Sequence, residues 1–462
     1  MSAISDAPPL AEVAERARAA GVEVSAPSAP GGPWCARPDD ADAVVRLVQV
    51  ARAVAESRRS AELRLVPVGG GTRLAAARPD LAAPRALAAT LCVDMARLSG
   101  VVEYEPGDGT LTALAGTAWV DLAAHVARGG HELTPDVAAL GEPWRAGQGG
   151  AVLGSGRSTL GGVLGAAASG PDRAARGPVR QHVLGAVVAT GSGTLARSGG
   201  RLVKNVTGFD VFRLHVGGRG TLGVIVEASL RLVPRAEHEA LVWCDGLALD
   251  AALAQAEAVR QSGLAPRALW VTNVLRDGHT LALHLAGRRA QIDADLKAAR
   301  AALGVGARHV EGDEARQRAR ELADTRARVP GANEAEAEDL ALAVTCVPSA
   351  AAGVGRELRS FCVARGTPAH SVAWPSVARF ELALPAPAGA ALAADGGRLL
   401  RDLAARLRGL GADIAFAGGA RAGAEALAGQ TRELGARRWE RALRLALDPS
   451  GLFRAHGARV DA

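Results

Sequence analysis

Gly218-Arg219-Gly220-Thr221-Leu222-Gly223, running directly into Val224-Ile225-Val226-Glu227-Ala228-Ser229-Leu230-Arg231-Leu232-Val233, is the stretch that decides the fold. Its glycines keep GxGxxG spacing. That spacing serves a dinucleotide when a strand leads into the turn and a helix leaves it, so that the pyrophosphate sits on the helix N-terminus. Here the order is reversed: Asp210 to Val216 reads as a helix and the β-branched run Val224 to Val233 as a long strand. A Rossmann fold is not expected. Nor is a P-loop, since the two lysines, Lys204 and Lys297, do not follow glycine.

Two further glycine-rich stretches lie upstream. Pro67-Val68-Gly69-Gly70-Gly71-Thr72-Arg73 leaves the end of a buried strand read over Leu63 to Val68. Successive glycines there can take positive φ and turn several backbone N–H groups toward one point, a nest for phosphate, although three glycines also make an ordinary tight turn. Ser158-Thr159-Leu160-Gly161-Gly162 is followed by the small residues Gly165 to Gly170, which permit either close approach of a ligand or tight helix packing.

Composition sets the outer limits. The 462 residues suggest two or three domains, with 48% hydrophobic and 22% charged residues, the balance of a globular protein. The net charge of +6 comes from arginines scattered among Glu and Asp, so no basic stripe marks a nucleic-acid binder. Five cysteines, Cys35, Cys92, Cys244, Cys346 and Cys362, form no CxxC pair and read as thiols of a reducing compartment. No secretory pattern opens the chain, and the most apolar run, Leu382 to Ala394, holds two prolines and falls short of the roughly 20 residues that span a bilayer. The cytoplasm is the expected location, with any membrane association peripheral and through partners. No GxSxG elbow, HExxH motif or metal-ligand histidine spacing occurs, and His279 and His284, five apart, would face opposite sides of a strand.

The domain expectations follow the changes in pattern. Residues 1–33 read as a leader helix and linker, 34–234 as the glycine-loop domain, 235–437 as a second domain and 438–462 as a closing helix and tail. In the second domain the order strand, helix, strand, strand, helix, strand runs from Ala240 to Val310 and recurs from Leu340 to Phe416, including His370 to Trp374 and Arg379 to Leu384. That is a split ferredoxin-like βαββαβ unit, duplicated, so the fold class is α+β.

Taken together, Cys35-Ala36-Arg37-Pro38, the loops at Gly69 to Arg73 and Thr159 to Gly162, Ser169-Gly170-Pro171, and the run from Gly200 through Lys204-Asn205-Val206-Thr207-Gly208-Phe209-Asp210 to Ile225 resemble the vanillyl-alcohol oxidase and para-cresol methylhydroxylase (PCMH-type) FAD-binding superfamily. Within it, the likeness is to the smaller FAD-binding subunit of bacterial glycolate oxidase. The resemblance implies a two-lobed FAD domain and a smaller substrate-side domain, with Pro67, Gly69, Gly70, Gly71, Thr72 and Arg73 on the pyrophosphate. Thr159, Leu160, Gly161, Gly162, Ser169 and Gly170 would line its other side, and Val224 and Ile225 would meet the adenosine end through backbone groups. Because the first loop offers Thr72 and Arg73 where some relatives carry a flavin-linked His, non-covalent FAD is expected.

The activity the resemblance implies is oxidation of a 2-hydroxy acid, with electrons leaving to a quinone, an iron-sulfur partner or oxygen. Arg379 is the candidate carboxylate clamp and His370 the candidate base. The alternative is an FAD-containing assembly subunit that supports a catalytic paralogue. This chain has Gly218 and Arg219 where the D-lactate dehydrogenase branch usually has Ser and Glu, and it lacks that branch's His-rich metal motif.

Overall fold

The computed structural model describes residues 9–28, 32–58, 62–74, 81, 89–135, 144–145, 152–153, 155, 157–201, 209–272, 278–304, 306–323, 340–365, 370–384, 397–419 and 437–453. The chain divides into two compact units: Met1–Ala168 with Pro178–Pro234 and Glu433–Ala462, and Ser169–Gly177 with Arg235–Arg432.

In the first unit, β1 (Glu23–Ser25), β2 (Trp34–Arg37), β3 (Arg64–Val68) and β4 (Thr90–Asp94) form a sheet in the order β1-β2-β4-β3. β4 runs parallel to both β2 and β3, so helical crossovers must cover the sheet. The helix Ala41–Ser57 does this: Asp40 caps it through the backbone N–H of Ala43, and Val44, Leu47, Val48, Ala51 and Val54 form its buried stripe. The helix Pro9–Ala19, expected as a leader, packs into this unit. Leu10, Val13, Ala14 and Ala17 are buried in the same core, and the Glu12 carboxylate accepts from Arg58 at 2.6 Å.

A second, antiparallel sheet orders β11 (Leu195–Gly199), β10 (Val183–Ala189), β12 (Val224–Arg231), β6 (Thr110–Leu114) and β5 (Val101–Glu105). Val187 pairs with Glu227 but Val188 with Ile225, so Val226 is an extra residue in the ladder. The bulge resets the alternation: Val224 and Val226 enter the core around Leu47, whereas Ala228 and Leu230 enter the one around Trp119 and Leu160. Between β11 and β12 the expected helix Asp210 to Val216 is only a 3-10 turn, Val211–Leu214, because Gly217 and Gly218 follow at once. Past the helix Arg437–Leu447, the Asp448 carboxylate accepts the backbone N–H groups of Leu452 and Phe453 at 2.9 and 2.8 Å, fixing both side chains in the core of this unit.

The second unit carries an eight-stranded antiparallel sheet built from two halves. The first half comprises β14 (His238–Leu247), β15 (Ala268–Thr272), β16 (His279–Gly287) and β17 (Arg308–Glu311). β18 (Leu340–Thr345), β19 (His370–Trp374), β20 (Arg379–Leu384) and β21 (Asp413–Gly419) make the second. Each half has the spatial order fourth, first, third, second, which is the ferredoxin-like arrangement, and the two second strands meet at the pairs Val271–Ala373 and Thr272–Val372. The helices Leu249–Gln261, Arg289–Leu303, Ala351–Val363 and Arg398–Gly409 share one core with alternate residues of the strands. On the opposite face the helix Gly312–Ala323 contributes Ala315 and Ala319 beside Leu241, Trp270 and Trp374. Among the described residues no helix is long and apolar enough to cross a membrane.

Candidate functional site

A cleft, partly open to solvent, lies wholly within the first unit. Its floor is the turn at the end of β3. Gly71 holds φ at +75°, the Thr72 hydroxyl lies 3.2 Å from that of Ser158, and an Arg73 guanidinium N–H donates to Ser158 Oγ at 2.7 Å. The turn needs glycine for a steric reason: a Cβ on Gly69 would overlap Thr159 Oγ1, and one on Gly70 would overlap the carbonyl oxygen of Arg157.

The facing wall is the turn 157–162 and the helix Leu160–Gly165, which Thr159 caps by accepting the Gly162 N–H at 3.2 Å. Against it folds the glycine stretch that opened the sequence reading. Gly217 N–H donates to Leu164 O and Arg219 N–H to Gly165 O, each at 2.9 Å, while Gly217, Arg219, Gly220 and Gly223 all take positive φ. Arg219 at φ +54° is a side-chain-bearing residue in the left-handed region, which costs about 1 kcal/mol. A Cβ on Gly220 would come 2.6 Å from Pro67 Cγ, which joins this wall to the first loop. The motif that would be a Rossmann fingerprint elsewhere is here a strand-leading turn that closes a cleft.

The lining has a chemical gradient. Pro67, Gly69 to Arg73, Gly161, Gly162 and Gly218 to Gly220 supply close backbone approach and two guanidinium groups, Arg73 and Arg219. Met95, Ala115, Leu222 and Ile225 supply apolar surface, and among the described residues the lining holds no carboxylate. His215 also lines it, and burial pushes its imidazole down to about 4. Cationic groups beside tight glycine turns suit a diphosphate, and the apolar walls suit flat rings. The donor set and the glycine cradle therefore fit a dinucleotide.

Of the residues expected from the sequence, Pro67, Gly69 to Arg73, Thr159, Gly161, Gly162 and Ile225 line this cleft. Leu160 and Val224 do not. Both are fully buried in apolar cores, Leu160 as the inward residue of its helical turn and Val224 because strand alternation sends it opposite to Ile225. Ser169 and Gly170 belong to the second unit and stand outside the lining. Lys204 and Asn205 lie outside the described residues, and Asp210 is an exposed partner of Arg213 at 3.0 Å. Met95, Ala115, His215, Arg219 and Leu222 were not anticipated; for His215 and Arg219, the one available signal was adjacency to the glycines at 217–220.

In the second unit Arg379 is engaged with its own strand. Its guanidinium donates to Glu381 Oε1 at 3.0 Å and lies 5.8 Å from the centroid of Trp374. His370 is placed at the start of β19.

Residues 34–199 match the family model described as an FAD binding domain. Residues 34–199 are an FAD-binding domain. FAD is accordingly the cofactor of this chain, and the cleft described above is where its residues fit the group. The chain is 36% identical over 136 residues to glycolate oxidase subunit GlcE of Escherichia coli, covering 29% of this chain and 35% of that protein. It is 29% identical over 187 residues to D-2-hydroxyglutarate dehydrogenase of Stutzerimonas stutzeri, covering 40% of this chain and 35% of that protein. The matched stretches thus span about a third of these relatives. The fold of the FAD-binding domain and of the unit that follows is shared with alkyldihydroxyacetonephosphate synthase: TM-score 0.62 at 15% identity, over 92% of this chain and 77% of that one. The expected architecture, an FAD-binding domain followed by a ferredoxin-like unit, is therefore the fold observed.

Proposed function

We propose that the chain is an FAD-dependent oxidoreductase of the 2-hydroxy-acid class, acting on glycolate or D-lactate and delivering electrons to a quinone or an iron-sulfur partner. The observation that carries this reading is the cleft whose glycine loops and two guanidinium groups suit a dinucleotide. The names of the relatives, a glycolate oxidase subunit and a D-2-hydroxyglutarate dehydrogenase, support the substrate class. FAD, held non-covalently by Gly69 to Arg73, Thr159, Gly161, Gly162 and Ile225, supplies a two-electron acceptor for the hydride from the hydroxyl-bearing carbon. Residues 235–437 serve as the substrate-side domain. There Arg379 binds the substrate carboxylate as a planar fork and His370 takes the hydroxyl proton. The protein works in the cytoplasm beside a catalytic paralogue and an iron-sulfur subunit.

A second reading has a specific observation in its favour. Arg379 already holds Glu381 and stacks on Trp374, so a substrate carboxylate would have to displace an in-strand partner. An FAD-containing assembly subunit without turnover of its own needs no such exchange. Purified protein decides between them. Its visible spectrum is recorded, the flavin is released by denaturation, and glycolate and D-lactate are then added anaerobically to intact protein. Bleaching of the yellow colour by either acid supports the oxidoreductase; a yellow protein that never bleaches on its own supports the assembly subunit.

A further inference from the structure

His215 is the one lining residue of the FAD cleft with a titratable ring, and the glycine loops do not explain it. Its backbone is held at both ends: its N–H donates to Phe212 O and its carbonyl accepts from Gly218, both at 3.1 Å. The residue is only 5% exposed, yet its ring has no hydrogen-bond partner among the described residues and its nitrogens are not among the sealed polar atoms. A buried polar ring without a partner is costly where Leu or Phe would pack at no such cost. His215 is part of the lining of the cleft.

We propose that His215 hydrogen-bonds an uncharged polar group of bound FAD, a ribityl hydroxyl or a polar atom of the isoalloxazine ring, and so lets the cleft distinguish FAD from ADP. Arg73 and Arg219 already provide the cations that a diphosphate attracts, and no carboxylate in the lining would favour an imidazolium. A neutral imidazole both donates and accepts, which matches hydroxyls and ring carbonyls better than a dianion. The inference rests on FAD occupying this cleft and not on the identity of the substrate.

The test compares wild type, His215→Leu and His215→Gln as apo-protein. FAD affinity is measured by quenching of flavin fluorescence, ADP affinity by calorimetry, and folding by thermal melting. His215→Leu is expected to bind FAD about five-fold more weakly, the scale of one hydrogen bond, and ADP as wild type does. His215→Gln, which keeps a donor and an acceptor, should stay within about two-fold for both. Equal losses for FAD and ADP, or no loss for FAD, would overturn the proposal. Should His215→Leu fail to fold, ¹⁵N spectra of the wild-type imidazoles decide: the signal absent from His215→Gln should shift with FAD and stay fixed with ADP, and a shift with ADP sinks the idea. Wild type that binds neither nucleotide would instead count against the cleft as the FAD site.

Discussion

Nε2 of His284 and Oε2 of Glu239 lie 2.9 Å apart across the neighbouring strands β16 and β14, both nearly sealed from solvent, and Arg316 donates to the other carboxylate oxygen at 3.0 Å. Burial raises the Glu239 carboxyl, but the hydrogen bond and charge of His284, with Arg267 and Arg316 beside it, outweigh that and hold it at about 2.

A carboxylate depressed on folding contributes stability that is complete above its ordinary value near 4.5 and is lost as the pH falls toward 2. His215 follows the same sign in a higher window. Kept neutral by burial, it contributes above 6.5 and loses that contribution as the pH falls toward 4. Melting of the apo-protein should therefore weaken in two steps, each on the order of 3 kcal/mol at most. His215→Gln should abolish the upper step alone and Glu239→Gln the lower. A single step unaffected by either substitution would contradict the assignment.

Glycines of the cleft divide into two kinds. Gly70→Ala places a methyl on the Arg157 carbonyl oxygen and should both destabilise the fold by roughly 2 kcal/mol or more and abolish FAD binding. Gly165→Ala meets no protein atom within 4 Å but lines the cleft, so its melting should be unchanged or slightly raised while FAD affinity falls about ten-fold. Melting curves with and without FAD distinguish the two.

Arg219 couples strain to charge. Arg219→Gly should gain about 1 kcal/mol in the apo-protein by releasing the left-handed backbone, and should lose roughly ten-fold in affinity for ADP and FAD alike. Stabilisation with no change in affinity would show that the guanidinium does not serve the diphosphate.

At the other end of the chain, Asp448→Ala leaves two buried backbone N–H groups without their acceptor. A loss of about 2 kcal/mol is expected, read by denaturant titration, with FAD affinity preserved in whatever fraction remains folded.

The sequence made the second unit unusually legible. His370–Trp374 and Arg379–Leu384 begin and end where alternation places them, because each strand buries one face in the helix-covered core and keeps the other apart from it. The glycine loops at 69–73 and 161–162 were visible for a related reason, that close approach leaves no room for Cβ. Three things were hidden. The role of Pro9–Ala19 depends on a core assembled with a helix some 30 residues later. The inward side chain of Val224 depends on which face of a bulged strand meets the cleft. His215 lies outside the glycine motif and Arg219 at one of its unspecified positions, and only the fold of the turn Gly217–Gly223 brings them to the wall.

The meeting of β15 with β19, second strand to second strand and antiparallel, gives the eight-stranded sheet a local two-fold axis. In that sense the second unit is a dimer written into one chain, its protomers joined by the stretch that contains Gly312–Ala323. Two copies relieved of identity can divide their labour: one can keep the Glu239–His284 pair, closed by Arg316 of the joining helix, while the other is free to spend the positions equivalent to Glu239 and His284 on recognition.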